Sequence, residues 1–174
     1  MRFRAALGMT CAALLVMAGS ASAQQAAWLD SRPAAWNRAG MAVPTAPPDA
    51  PVAGLERCRE RERAPAQAEE AAIAAAGWRL QEYWPTGRTG EIAVVTATAG
   101  YDGMCRPVSF NAFAFAGGRF AGTLAPAPMS SRTDGVLTTT PSVSAEAIAA
   151  SFTRYAPSDP LCCPGRGHTD VGYR

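Results

Sequence analysis

The chain has 174 residues, with 16 basic against 14 acidic side chains and a formal net charge of +2. Every basic residue is arginine, which rules out lysine nucleophiles, Schiff bases and Ser–Lys dyads. The length suits one domain with a core, and so small a basic excess argues against nucleic acid or an anionic membrane as a partner.

Taken in order, the N-terminus reads as a secretory leader. Arg2 and Arg4 precede an apolar run from Ala5 to Ala18, and Ser20-Ala21-Ser22-Ala23 offers the small residues of a cleavage site. The run is shorter than the roughly 20 apolar residues of a spanning helix, so cleavage after Ala23 is expected rather than an anchor helix. No later stretch is apolar enough to span, and the product would be periplasmic or secreted. Losing Met1–Ala23 removes Cys11 and leaves 14 arginines against 14 acidic residues.

From Gln24 to Leu55 the sequence is rich in Pro and Ala, including Pro33, Pro44, Pro47, Pro48 and Pro51. Such a stretch favours an extended arm. Trp28 and Trp36 interrupt it. Covering their own domain is the preferred role for these rings, and docking into an envelope partner is the alternative.

The domain proper is expected over residues 56–174. The alternating charges of Arg57–Arg63 suggest a solvated face. Pro65, the Ala-rich run Ala66–Ala76, the early acids Glu69 and Glu70, and Gly77 together predict a helix. Period-two patterns then predict strands over Trp78–Trp84, Glu91–Ala99, Pro107–Ala116 and Arg119–Leu124, the last two joined at Gly117-Gly118 as a hairpin. A regular hairpin pairs Phe115 with Phe120, Phe113 with Gly122 and Asn111 with Leu124. The alanines 112, 114, 116 and 121 fall on the other face, where an Ala-rich helix would fit. Further strands are expected at Val136–Val143, Ala147–Tyr155 and His168–Tyr173, with a helix opening near Ser144 as the alternative for the middle one. The fold class is α+β: one N-terminal helix on a twisted antiparallel β-sheet, stapled by disulfides.

Cys58, Cys105, Cys162 and Cys163 remain after cleavage, and an even number in an exported chain predicts two disulfides. Neighbouring Cα atoms lie about 3.8 Å apart, below the usual disulfide span of about 4.4 Å and more. That favours Cys58 and Cys105 each bridging to one member of the adjacent pair. A Cys162–Cys163 ring acting as a redox switch is the competing reading. The lack of a CxxC spacing disfavours zinc.

No nucleotide-loop, zincin or nucleophile-elbow motif occurs, and no cofactor or metal is expected. His168 is the single histidine, read as a surface or strand-edge residue. Asp102, Asp134, Asp159 and Asp170 lie in turns, where Asx hydrogen bonding is their ordinary use. Arg132 and Asp134 are candidates to cluster with Arg106 and Asp102.

Four ordered stretches carry a family resemblance: Tyr101-Asp102-Gly103-Met104-Cys105-Arg106-Pro107; Gly118–Leu124, containing Gly122, with Pro128-Met129; Ser131-Arg132-Thr133-Asp134-Gly135; and Arg154–Pro164, containing Asp159. Over about Trp78–Gly165 the sequence resembles the LppP/LprE lipoprotein family and its proteobacterial relatives. The resemblance implies a small envelope domain and carries over no catalytic residue. A lipidated Cys is lacking, which separates this chain from lipid-anchored members. The expected function is therefore an exported, non-enzymatic binding or structural protein. The alternatives are a periplasmic redox or hydrolytic enzyme, or a partner-docking module built on the Trp-bearing arm.

Overall fold

A computed structural model describes residues 27–31, 35–48 and 56–174. The leader and its cleavage site at Ala23 lie outside the described residues, as does the end of the arm at 49–55.

Among the described residues there are three short helices and ten strands. The helices are α1 (Ala27–Asp30), α2 (Glu56–Arg59) and α3 (Ala68–Ala75). The strands are β1 (Glu62–Arg63), β2 (Arg79–Gln81), β3 (Gly87–Thr89), β4 (Ile92–Tyr101), β5 (Pro107–Ala116), β6 (Arg119–Thr123), β7 (Val136–Leu137), β8 (Ser142–Val143), β9 (Ile148–Thr153) and β10 (His168–Tyr173). The architecture is mainly antiparallel sheet. It differs from the expected single helix on a single sheet, because the strands divide between two sheets.

The first sheet runs β1-β2-β4-β5-β6, with β3 beside β4; the second runs β10-β9-β7, with β8 beside β9. In the first, β3 pairs with Ile92–Val94 and β2 with Ala97–Thr98, so one long strand serves two short ones along the same edge. The region expected as one strand, Val136–Val143, is broken in two. Val136–Leu137 and Ser142–Val143 pair with opposite ends of β9, which is a strand.

Strand β4 is buried on both faces, which explains its nearly unbroken run of small and β-branched residues. Ala93, Val95, Ala97 and Ala99 face a cluster containing Ile73 of α3, Trp78, Leu80, Phe113 and Phe115. On the reverse, Val94, Phe110, Ala112 and Ala114 pack against Ile148, Ala150 and Phe152 of the second sheet. The domain is thus layered as helix, sheet, sheet. Each fully buried Phe contributes about 2–3 kcal/mol of apolar burial.

Two expectations about the hairpin need correcting. Helix α3 lies on the aromatic face, with Ile73 against Phe113 and Phe115, and the alanine face receives the second sheet instead. Small side chains let two sheets approach as readily as they let a helix approach, so the alanines did not discriminate. The register also shifts. Phe115 opposes Phe120 as expected, but a bulge leaves Ala114 opposite Gly122 and Phe113 opposite Thr123. Ala121 is the extra residue of that bulge. Such an insertion has no mark in a period-two pattern. The turn itself is as predicted, with φ of 56° at Gly117 and 74° at Gly118.

The charged stretch Arg57–Arg63 is less solvated than expected. Cys58 is buried beside Tyr101, and Glu62 accepts a 3.0 Å hydrogen bond from the Tyr101 hydroxyl.

Candidate functional site

The described part of the arm forms no helix or strand over residues 35–48, yet it makes specific contacts on both sides of β6. Trp28 and Leu29 pack on the second-sheet side, with the Trp28 ring edge-on to Phe152 at 5.1 Å and to Trp36 at 5.3 Å. Val43 and Ala46 pack on the helix side. There the Trp78 indole N–H donates to the Pro44 carbonyl at 2.7 Å, and the Ala46 N–H to the Ala76 carbonyl at 2.8 Å. Both tryptophans lie on their own domain.

Between these anchor points, Trp36 and Asn37 meet the free edge of β6. The Trp36 indole N–H donates to the Thr123 carbonyl at 3.0 Å. The Asn37 amide donates to the same carbonyl and accepts from the Thr123 N–H, each at 2.9 Å. A side-chain amide thereby pairs with the strand edge as a neighbouring backbone would. Its seat is Gly122, where a β-carbon would collide with the Asn37 side chain, and φ is +152°.

Beside this contact lies a cleft of about 420 Å³ between β6 and the end of the second sheet. Ile92, Ala114, Ala121, Leu124, Ile148 and Tyr173 are among the residues that line it, together with Glu146 and Arg174. The Tyr173 hydroxyl donates to the Leu124 carbonyl and ties β10 to the chain just after β6. Burial pushes that phenol above its ordinary range. Asn37 borders this cleft and two neighbouring concavities beneath the arm.

The turn carboxylates do the work expected of Asx residues. Asp102 Oδ1 accepts the N–H groups of Met104 at 2.9 Å and Arg106 at 3.0 Å, and Oδ2 pairs with the Arg106 guanidinium at 2.5 Å. Burial alone would raise the Asp102 carboxyl, but these donors hold it below its ordinary range. Gly103, in the same turn, accepts from the Arg57 guanidinium through its carbonyl at 2.7 Å. Asp159 is lowered by the N–H groups of Ala156 and Gly165.

The expected cluster of Arg106, Asp102, Arg132 and Asp134 does not form. Asp134 turns instead to Arg154 at 2.9 Å, and Arg132 is exposed with φ of 63°, one residue before Thr133 closes its own turn onto Ser130. Gly135 is buried and donates its N–H to the Thr153 carbonyl at 2.8 Å. Sequence reasoning missed Arg154. Only 6% of its side chain is exposed, and it holds Asp30 of α1 at 2.8 Å as well as Asp134. Nothing local distinguishes it from the other arginines; the fold alone brings the two acids to it.

His168 opens β10 opposite Thr153, with Nε2 lying 3.7 Å from the Asp170 carboxylate on the exposed surface. The disulfides join Cys58 to Cys105 and Cys162 to Cys163, so the preferred bridging of Cys58 and Cys105 to the adjacent pair is overturned. Cys105, at φ of 59° in the Asp102 turn, meets Cys58 of α2, whereas the adjacent pair belongs to the loop between β9 and β10 of the other sheet. Among the described residues no group of three or more His, Cys, Asp or Glu side chains is placed to hold a metal ion.

The family model described as LppP/LprE lipoprotein matches residues 86–174, a little over half of the chain. The chain belongs to the LppP/LprE lipoprotein family. The part matched to the family begins just before β3 and includes Asp102, Gly122, Asp134, Arg154 and both halves of the adjacent cysteine pair. Helix α3 and the arm, with Trp28, Trp36 and Asn37, precede it. No curated protein matches the sequence, and no solved structure matches it.

Proposed function

We propose that this member of the LppP/LprE family is an exported envelope protein whose domain binds a ligand rather than catalysing a reaction. Family membership supports the envelope location. Among the described residues no helix is long and apolar enough to cross a membrane. Export would be directed by Met1–Ala23 and accompanied by its removal, and the mass of the N-terminal peptide from a periplasmic fraction tests that step.

The observation that carries the binding role is the cleft beside β6. Its wall is mostly apolar, with the exposed Glu146 and Arg174 as its charged members, and the polar groups of Asn37 and Tyr173 are committed to Thr123 and Leu124. Such a surface suits a small, largely apolar group. The test is titration of the oxidised protein with a fluorescent monoacyl probe, alongside an Ala121→Trp variant that fills the cleft. Saturable uptake weakened by at least roughly tenfold in the variant supports the reading. Equal uptake by a variant that melts like the parent, or no uptake by the parent, would leave a purely structural role.

A further inference from the structure

The two disulfides stand in opposite surroundings. Cys58 is 3% exposed and packs on buried Tyr101, and its bridge to Cys105 spans 47 residues. Cys162 and Cys163 are exposed at the tip of the loop joining β9 to β10. A disulfide stabilises mainly by closing a loop of the unfolded chain. The bridge between adjacent residues closes no such loop.

The loop around it is already held without the sulfurs. Asp159 Oδ2 accepts the N–H groups of Ala156 at 2.7 Å and Gly165 at 2.6 Å. The Tyr155 hydroxyl donates to the Leu161 carbonyl at 3.1 Å, and the Cys163 N–H to the Pro160 carbonyl at 2.9 Å. At the base, the Arg154 N–H donates to the Gly167 carbonyl at 2.9 Å. The bridge is therefore presented on a fixed loop, open to solvent, without a stapling task.

We propose that Cys162–Cys163 is a thiol–disulfide exchange site, opened by a low-molecular-weight thiol while the domain stays folded. The thiolate attacks one of the two exposed sulfurs. A mixed disulfide forms as the Cys162–Cys163 bond breaks, and its electron pair leaves with the other cysteine, which takes a proton. A second thiol then attacks the mixed disulfide, releasing the small-molecule disulfide and the remaining cysteine thiol. In sum the bridge gains two electrons and two protons, and two thiols are oxidised to one disulfide. The leaving thiolate sits on the next residue, so the reverse closure is intramolecular and the site is reversible.

The test exposes the folded, oxidised protein to graded glutathione, traps free thiols with N-ethylmaleimide and maps them by peptide mass. Labelling of Cys162 and Cys163 should lead that of Cys58 and Cys105 by at least roughly tenfold in rate, with unchanged near-ultraviolet circular dichroism. Single variants Cys162→Ser and Cys163→Ser, unable to reclose and incubated with oxidised glutathione, should each accumulate a glutathione adduct on the cysteine that remains, releasing one reduced glutathione. The double variant Cys162→Ser/Cys163→Ser should keep the parent melting temperature. Equal or reversed labelling, opening only on denaturation, failure of the single variants to form the adduct, or a large fall in melting temperature for the double variant would each overturn the proposal.

Discussion

The Asn37 amide occupies the space that a β-carbon on Gly122 would need, and from there it bonds both backbone groups of Thr123 at 2.9 Å. Absence of a side chain at one position thus makes room for a side chain that ends a sheet. Gly122→Ala should displace Asn37 and strain a backbone at φ +152°, costing about 2 kcal/mol or more. Asn37→Gly should cost about 1–2 kcal/mol through the lost bonds. Because both act on one contact, the double variant should melt well above the additive expectation. Chemical denaturation of the four proteins checks this.

Arg154 offers a second test because its two partners differ in exposure. Its side chain is 6% exposed, against 23% for Asp134 and 52% for Asp30. Arg154→Ala should cost about 3–5 kcal/mol by stranding Asp134 in a partly buried place. Asp30→Asn, at the solvent end of the same network, should cost no more than about 1 kcal/mol. Comparable losses in urea melts would mean that the exposed Asp30 carries most of the network, against the geometry.

Acid should unfold the protein partly through Glu70. The Arg63 guanidinium at 2.8 Å, the Thr86 hydroxyl and the Ala66 N–H at 2.7 Å bond its buried carboxylate. Arg63 chiefly brings its pKa from 4.5 down to about 2. The folded state therefore binds this proton less readily than the unfolded chain. The resulting stability is present above about pH 4.5 and is lost as the pH falls towards 2. That contribution is on the order of 3 kcal/mol. Glu70→Gln should be less stable at neutral pH and should flatten this part of the stability–pH curve.

Tyr101 links two elements through one hydroxyl, which accepts from the Gln81 amide and donates to Glu62. Burial first, and the Glu62 carboxylate next, push this phenol well above its ordinary range. Gln81 Oε1 is buried with no hydrogen-bond partner among the described residues, so the network already holds one unused acceptor and losing the hydroxyl would leave the Gln81 amide less satisfied still. Tyr101→Phe should cost about 1–3 kcal/mol. Faster amide hydrogen exchange in β1 and β2 would locate the loss.

Strands with a clear local period were legible. The bounds expected for β5 and β10, Pro107–Ala116 and His168–Tyr173, are those observed, because alternation and flanking turns mark both. The hairpin turn was legible from two adjacent glycines. The inserted Ala121 was not, since a bulge leaves composition and alternation nearly intact. Which face α3 covers was also hidden, because alanine suits either neighbour. Of the candidate site, Asp102 and Asp159 announced themselves through turn chemistry. Asn37 and Arg154 act on partners 86 and 124 residues away, and no local pattern encodes such pairings. The adjacent cysteines were visible, but Cα spacing and the opposed directions of neighbouring side chains in extended chain point to the wrong partners.

The position of Asn37 also carries a chronology. A chain made from its N-terminus holds this residue 86 positions before Thr123 exists. When the last strand of the first sheet arrives, its cover is already waiting. A bare strand edge is most dangerous in a crowded compartment before folding is complete. Here the guard precedes the gate, so the interval in which another molecule could add to that sheet is shortened by sequence order alone.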